Sequence, residues 1–74
     1  MELMDIGYGN YVSSERIVSI ILPGAAPAKR LIKYATTANK LIDASSGRRT
    51  ESVIVTDSDH IVLSSLTPMQ LKAM

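Results

Sequence analysis

Short apolar runs separated by clusters of glycine, proline and hydroxyl residues recur along the chain, and most of the runs are of strand rather than helix length. Leu3, Met4 and Ile6 predict a short first strand that stops at Gly7-Tyr8-Gly9-Asn10. Tyr11 to Glu15 then lead into Arg16 and the β-branched run Ile17 to Leu22, which Pro23-Gly24 ends. Only Ser19 is polar within that run, so both pleat faces are apolar and each needs a cover.

The spacing then changes to that of a helix. Ala28, Leu31, Ile32, Ala35 and Ala38 fall on one stripe, while Lys29, Arg30, Lys33 and Thr37 fall away from it. Pro27 suits the first helical position and Asn39 a left-handed end. Strand character resumes at Leu41-Ile42. Ser52 to Thr56 and Ile61 to Ser65 predict a hairpin with its turn centred on Ser58-Asp59, setting Thr56 opposite Ile61, Val55 opposite Val62 and Ile54 opposite Leu63. Both hairpin faces are apolar. The single helix covers one of them, and the other is expected to fall to a second subunit. Thr67-Pro68-Met69-Gln70 carries a capping-box pattern that opens a short helix bearing Met69, Leu71, Lys72 and Met74. The expected fold is α+β, a single domain over residues 1–74 with a small curved, mostly antiparallel β-sheet, one main helix on one face and a short C-terminal helix.

Composition sharpens the need for a partner. A chain of 74 residues buries only about 60% of its unfolded surface. With no cysteine, disulfides and thiolate metal sites are excluded. Yet 46% of the residues are apolar, with no Phe or Trp to fill a core, and that surplus points to a homo-oligomer. The formal net charge of +1 is too small for bulk attraction to a polyanion, so a nucleic-acid role must rest on where the basic residues lie. The acidic N-terminus does not read as a secretory signal, and the apolar run Ile17 to Leu22 is too short to span a bilayer. A soluble, cytoplasmic protein without a membrane partner is expected.

Charge, flexibility and hydroxyl groups coincide at Ser45-Ser46-Gly47-Arg48-Arg49-Thr50, a basic turn between two strand candidates. The guanidinium forks of Arg48 and Arg49 and the Thr50 hydroxyl suit a phosphate or carboxylate. In a regular strand the two arginines would point to opposite faces, so both meet one phosphate surface only if Gly47 bends the chain or the two serve different strands or subunits. The helix start is the second candidate. Gly24-Ala25-Ala26 offers no strong side-chain cap, and Lys29 and Arg30 sit in the first turn, so a bound anion would relieve both features. Asp57, Asp59 and His60 lack a zinc spacing and suit a tight turn. No nucleophile is placed beside the single histidine, and the chain is read as non-enzymatic, with no cofactor and no small-molecule substrate.

Ile6-Gly7-Tyr8-Gly9-Asn10, Ala26-Pro27 with Lys29-Arg30, Leu41-Ile42-Asp43-Ala44, Gly47-Arg48-Arg49-Thr50 and Asp57-Ser58-Asp59-His60-Ile61 resemble, in order and spacing, the RemA-type extracellular-matrix regulatory proteins of bacteria. The resemblance runs from about Ile6 to Ser65. It implies a DNA-binding transcriptional regulator of biofilm-matrix operons in Bacillus-like bacteria, built of small α+β subunits in closed rings that contact double-stranded DNA through repeated basic residues. The family's functional arginines fall on Arg16, Arg48 and Arg49, and its sensitive proline on Pro27. Where family members can carry Glu-Ser before Ala-Pro, this chain has Gly24-Ala25. Two functions are therefore expected to compete. One is a DNA binder using Arg16, Arg48, Arg49, Lys29, Arg30 and Thr50; the other is a structural or protein-binding homo-oligomer whose arginine turn pairs with acidic groups of a partner.

Overall fold

In a computed structural model, which describes residues 2–72, the chain opens with a hairpin of β1 (Leu3–Gly7) and β2 (Asn10–Ser13). A single 3-10 turn at Ser14–Arg16 leads into β3 (Ile17–Ile21), and α1 (Ala26–Ala38) connects it to β4 (Leu41–Asp43). The hairpin of β5 (Ser52–Thr56) and β6 (Ile61–Ser64) follows, then α2 (Pro68–Lys72). Met74, expected on the last turn of α2, lies outside the described residues.

Two sheets form rather than one. The first is the β1–β2 hairpin, and the second has the order β3-β5-β6-β4. Within the second, β5 is antiparallel to both β3 and β6, while β4 runs parallel to β6. The strands β3, β6 and β4 therefore all point one way. The segment β3-α1-β4 is a crossover unit with the β5–β6 hairpin inserted between its two strands, and such a unit places the helix start at the C-terminal ends of those strands.

Both pleat faces are apolar, as the sequence predicts, but the chain covers both itself. On one face Val53, Ile61 and Leu63 pack with Ala28 and Ala35 of α1, with Leu31 and Ile32 alongside. On the other, Ile54 and Val62 pack with Ile6, Ala44 and Leu71, flanked by Met4, Val12 and Leu66. The second cover, expected from another subunit, is supplied by the β1–β2 hairpin and α2. Tyr11 to Ser13 belong to β2, which among the described residues pairs with β1 alone, and that hairpin makes the cover. Fully burying a side chain such as Ile54 or Leu71 is worth about 1.5–3 kcal/mol.

The β5–β6 register differs by one residue from the expected one. Val55 faces Ile61, Ile54 faces Val62 and Val53 faces Leu63. The loop is three residues long, because Thr56 N–H donates to the His60 carbonyl and Asp59 adopts a left-handed φ of 68°. A type I turn followed by a left-handed residue closes such loops, and it leaves His60 as the partner of Thr56. The Thr56 hydroxyl bonds the backbone of His60 in both directions and fixes the turn.

Helix α1 begins one residue before Pro27 and ends at Asn39, which takes the left-handed conformation at φ 60°. The Lys40 amide closes that end on the Ala35 carbonyl at 2.8 Å. Ala38, expected in the buried stripe, is exposed and belongs to neither core cluster. The capping box of α2 is reciprocal: Gln70 N–H donates to Thr67 Oγ1 at 3.1 Å, and Thr67 N–H donates to Gln70 Oε1 at 2.7 Å. Among the described residues no helix is long and apolar enough to cross a membrane.

Candidate nucleic-acid interface

The basic turn is a sharp reversal rather than a strand. After β4, Asp43 Oδ1 accepts both the backbone N–H and the hydroxyl of Ser45, which holds the Asp43 carboxyl below its ordinary pKa. Ser46 and Gly47 then take left-handed φ values of 56° and 76°, and Arg48 N–H donates to the Ser45 carbonyl at 3.0 Å. Two successive positive φ angles are the mark of a type I′ turn. The bend at Gly47 is therefore present, shared with Ser46. Arg48 and Arg49 are exposed beyond it, and Thr50 is half-buried.

Strand direction decides what lies beside this turn. Ile21 pairs with Val53 at one end of the sheet, Ile17 with Thr56 at the other. At the Ile21 end are the helix start with Lys29 and Arg30, the basic turn, and the β1–β2 tip. The tip is tied there by a buried contact, since Ser64 Oγ–H donates to the Ile6 carbonyl at 2.8 Å. The Ser64 carbonyl accepts from Glu51 N–H at 2.8 Å, so one residue anchors both the hairpin tip and the outgoing limb of the basic turn. Arg48 lies over the Tyr8 ring, with its guanidinium carbon 4.7 Å from the ring centroid. Nothing in the spacing of Tyr8 and Arg48 marks this contact; only the fold reveals it.

Arg16 is at the opposite end. Five residues of β3 separate the two ends by roughly 15 Å at the usual strand rise. Arg16 Nε–H donates to Asp57 Oδ1 at 2.7 Å, and the Arg16 carbonyl accepts from Asp57 N–H at 2.9 Å. The hydrogen bond, with the carboxylate charge behind it, holds the guanidinium pKa above its ordinary value. The acidic turn is engaged throughout: the Tyr34 hydroxyl donates to Asp59 Oδ2 at 2.6 Å, and His60 Nδ1 is 2.8 Å from Ser58 Oγ. Asp57, Asp59 and His60 thus turn to three separate partners, as a turn motif would have them do. No metal-binding group of acidic, histidine or cysteine residues is found among the described residues.

The helix start carries charge but few free donors. Ala25 has no side-chain cap, as expected. However, the Ala25 amide already donates to Leu22, the Ala28 and Lys29 amides donate to the Ala25 carbonyl, and Pro27 has no N–H. Lys29 and Arg30 are therefore exposed cations at the same end of the sheet as the basic turn rather than the rim of an amide nest.

The chain matches the RemA-like family, described as extracellular matrix regulatory protein A-like, over residues 3–73. A relative from Oceanobacillus iheyensis is 56% identical over 68 residues, which cover 92% of this chain and 79% of the relative. One from Geobacillus thermodenitrificans is 54% identical over 68 residues, with 92% and 78% covered, and one from Acetivibrio thermocellus is 53% identical, with 92% and 73% covered. All three are provisionally named regulatory proteins rather than enzymes. A match that spans nearly the whole described fold, together with relatives identical at more than half of the aligned positions, leaves one conclusion about kinship: the chain belongs to the RemA-like family.

Proposed function

We propose that the protein is a regulator that binds double-stranded DNA through the end of the molecule that carries Arg48, Arg49, Thr50, Lys29 and Arg30. The observation that carries this reading is the type I′ bend at Ser46-Gly47, which presents two adjacent arginines outward at the end where the helix start adds two more cations. Family membership and the regulatory names of the relatives support it. Phosphate contacts dominate such a surface, and sequence preference then comes from DNA shape and from the arrangement of repeated sites. Arg16 lies at the far end of the sheet and is paired with Asp57, so it would join only as a separate contact in which a phosphate displaces Asp57.

A ring of copies is part of the same proposal. Among the described residues the outer edges of β3 and β4 have no strand partner, and Val18 and Ile42 on these strands are exposed. Both edge strands run in one direction, so pairing β3 of one copy with β4 of the next keeps every basic turn on one rim. Repetition would then supply the many phosphate contacts that a single copy of net charge +1 lacks. The other reading, a protein-binding oligomer, has one observation in its favour: an acidic turn at one end and a basic turn at the other suit head-to-tail contact. Asp57 and Asp59 are already bonded within the chain, which favours DNA.

Mass by light scattering, with and without a random-sequence duplex at two salt concentrations, tests assembly and binding together. A multiple of the subunit mass that gains DNA at low salt and releases it at high salt is expected. A monomer, or an assembly indifferent to DNA at both salts, would refute the proposal.

A further inference from the structure

We propose that Tyr8 is a positioning residue for the DNA surface: its ring fixes the Arg48 guanidinium, so that losing the ring weakens DNA binding without removing a phosphate contact. This rests on the reading of the basic turn as the DNA-binding end.

The distance of 4.7 Å from the guanidinium carbon to the ring centroid is a cation–π separation. An exposed arginine otherwise loses much of its rotamer freedom when it grips a phosphate, and a platform beneath it lowers that loss. Both partners stand on fixed supports. Tyr8 sits in a two-residue turn whose flanks are tied by Gly7 N–H to Asp5 Oδ1 at 2.8 Å and by Asn10 Nδ2–H to the Gly7 carbonyl at 3.0 Å. The Ser64 contacts join that turn to the limb leaving the basic turn.

Packing does not account for the residue. Tyr8 is 53% exposed and belongs to neither core cluster. Its φ of 56° is left-handed, a conformation that glycine or asparagine adopts readily and a bulky side chain does not. An aromatic residue held at a position that disfavours it, directly under an exposed arginine, points to a use for the ring. Among the described residues Arg49 has no such platform, so the effect is specific to Arg48.

The test compares affinities for a random-sequence duplex across a salt series for wild type, Tyr8→Phe, Tyr8→Leu, Tyr8→Asn, Arg48→Ala and the Tyr8→Leu/Arg48→Ala double variant. NMR of the free proteins follows the Arg48 side-chain protons. Tyr8→Leu is expected to weaken binding about two- to fivefold with the salt slope retained, and Tyr8→Phe to match wild type. Tyr8→Asn suits the left-handed backbone, so it keeps or raises thermal stability while losing the same affinity. In the Arg48→Ala background Tyr8→Leu adds no further loss, and the ring-current shift of the Arg48 protons disappears with the ring. An equal loss in the Arg48→Ala background, or unshifted Arg48 protons in wild type, overturns the inference. Binding that is weakened by Arg48→Ala but untouched by Tyr8→Leu and Tyr8→Asn overturns it alone, whereas wild type that binds no duplex removes the DNA reading and this inference with it.

Discussion

The two ends of the four-stranded sheet carry arginines in opposite electrostatic settings. At the Arg16 end the guanidinium is bonded to Asp57, and the neighbouring carboxylate of Asp59 takes a hydroxyl from Tyr34. At the Arg48 end the nearby carboxylate of Asp43 is occupied by Ser45, and Arg48 rests on an aromatic ring instead of an acid. Residue type alone does not tell these arginines apart. What separates them is the partner the fold supplies: a carboxylate cancels the charge, whereas a ring keeps it and orients it.

Substitutions at the basic turn break this contrast most severely. Replacing both Arg48 and Arg49 by alanine is expected to lower duplex affinity by roughly tenfold or more at moderate salt. The fold should survive, with stability changed by no more than about 0.5 kcal/mol, since both positions are exposed. Parallel electrophoretic and thermal-melting assays measure the two quantities; loss of the fold would spoil the contrast, and unchanged binding would remove it.

Ser64→Ala attacks the common anchor of that end. It leaves the buried Ile6 carbonyl without its donor, a cost of about 1–3 kcal/mol in denaturant unfolding. Faster amide exchange at Gly7 to Asn10 and at Glu51 should accompany it, with the Asp57 to His60 turn unaffected. Uniform change at both ends would show that Ser64 does not serve one end in particular.

Asp57→Asn sharpens the comparison by making the Arg16 end resemble the other. The Arg16–Asp57 pair is exposed and screened by solvent, so its removal changes stability little. A modest gain in duplex affinity is expected as Arg16 becomes available. Weaker binding in a properly folded variant would mean that Asp57 helps the interaction rather than screening Arg16.

Acid and base titrations separate the ends with the smallest effect. Asp43 has its folded pKa lowered, so its contribution is present above the unfolded value of about 4 and lost as pH falls through the folded one. Tyr34 has its folded pKa raised by the bond to Asp59, so its contribution is present below about 10 and lost as pH rises through the folded value. NMR titration should show the Ser45 resonances shifting as acid protonates Asp43 and the Tyr34 ring shifting as alkali ionises it. An Asp43 carboxyl that titrates above its ordinary range, or a Tyr34 hydroxyl below its own, would contradict the assignment.

Local chemistry made much of this fold legible. The run expected over Ile17 to Leu22 forms a strand as far as Ile21, the helix stripe holds as far as Ala35, and the left-handed end at Asn39 and the reciprocal cap at Thr67 and Gln70 are present; each depends on neighbours in the sequence. Relations between distant segments were not legible. The parallel β4–β6 pair and the cover made by β1, β2 and α2 have no local signature, and the hairpin register turned on one left-handed residue, Asp59. The candidate site divides in the same way. The basic turn announces itself through Gly47 and its arginines, whereas the separation of Arg16 and the Tyr8 platform come from strand direction and from the Ser64 anchor.

The most direct test of the central claim, that the Arg48 end is the phosphate surface, is the log–log salt slope of duplex affinity for wild type and for the Arg48→Ala/Arg49→Ala variant. The slope should become shallower by about 0.9 for each phosphate that the variant no longer neutralises. Identical slopes and affinities in the two proteins would contradict the claim.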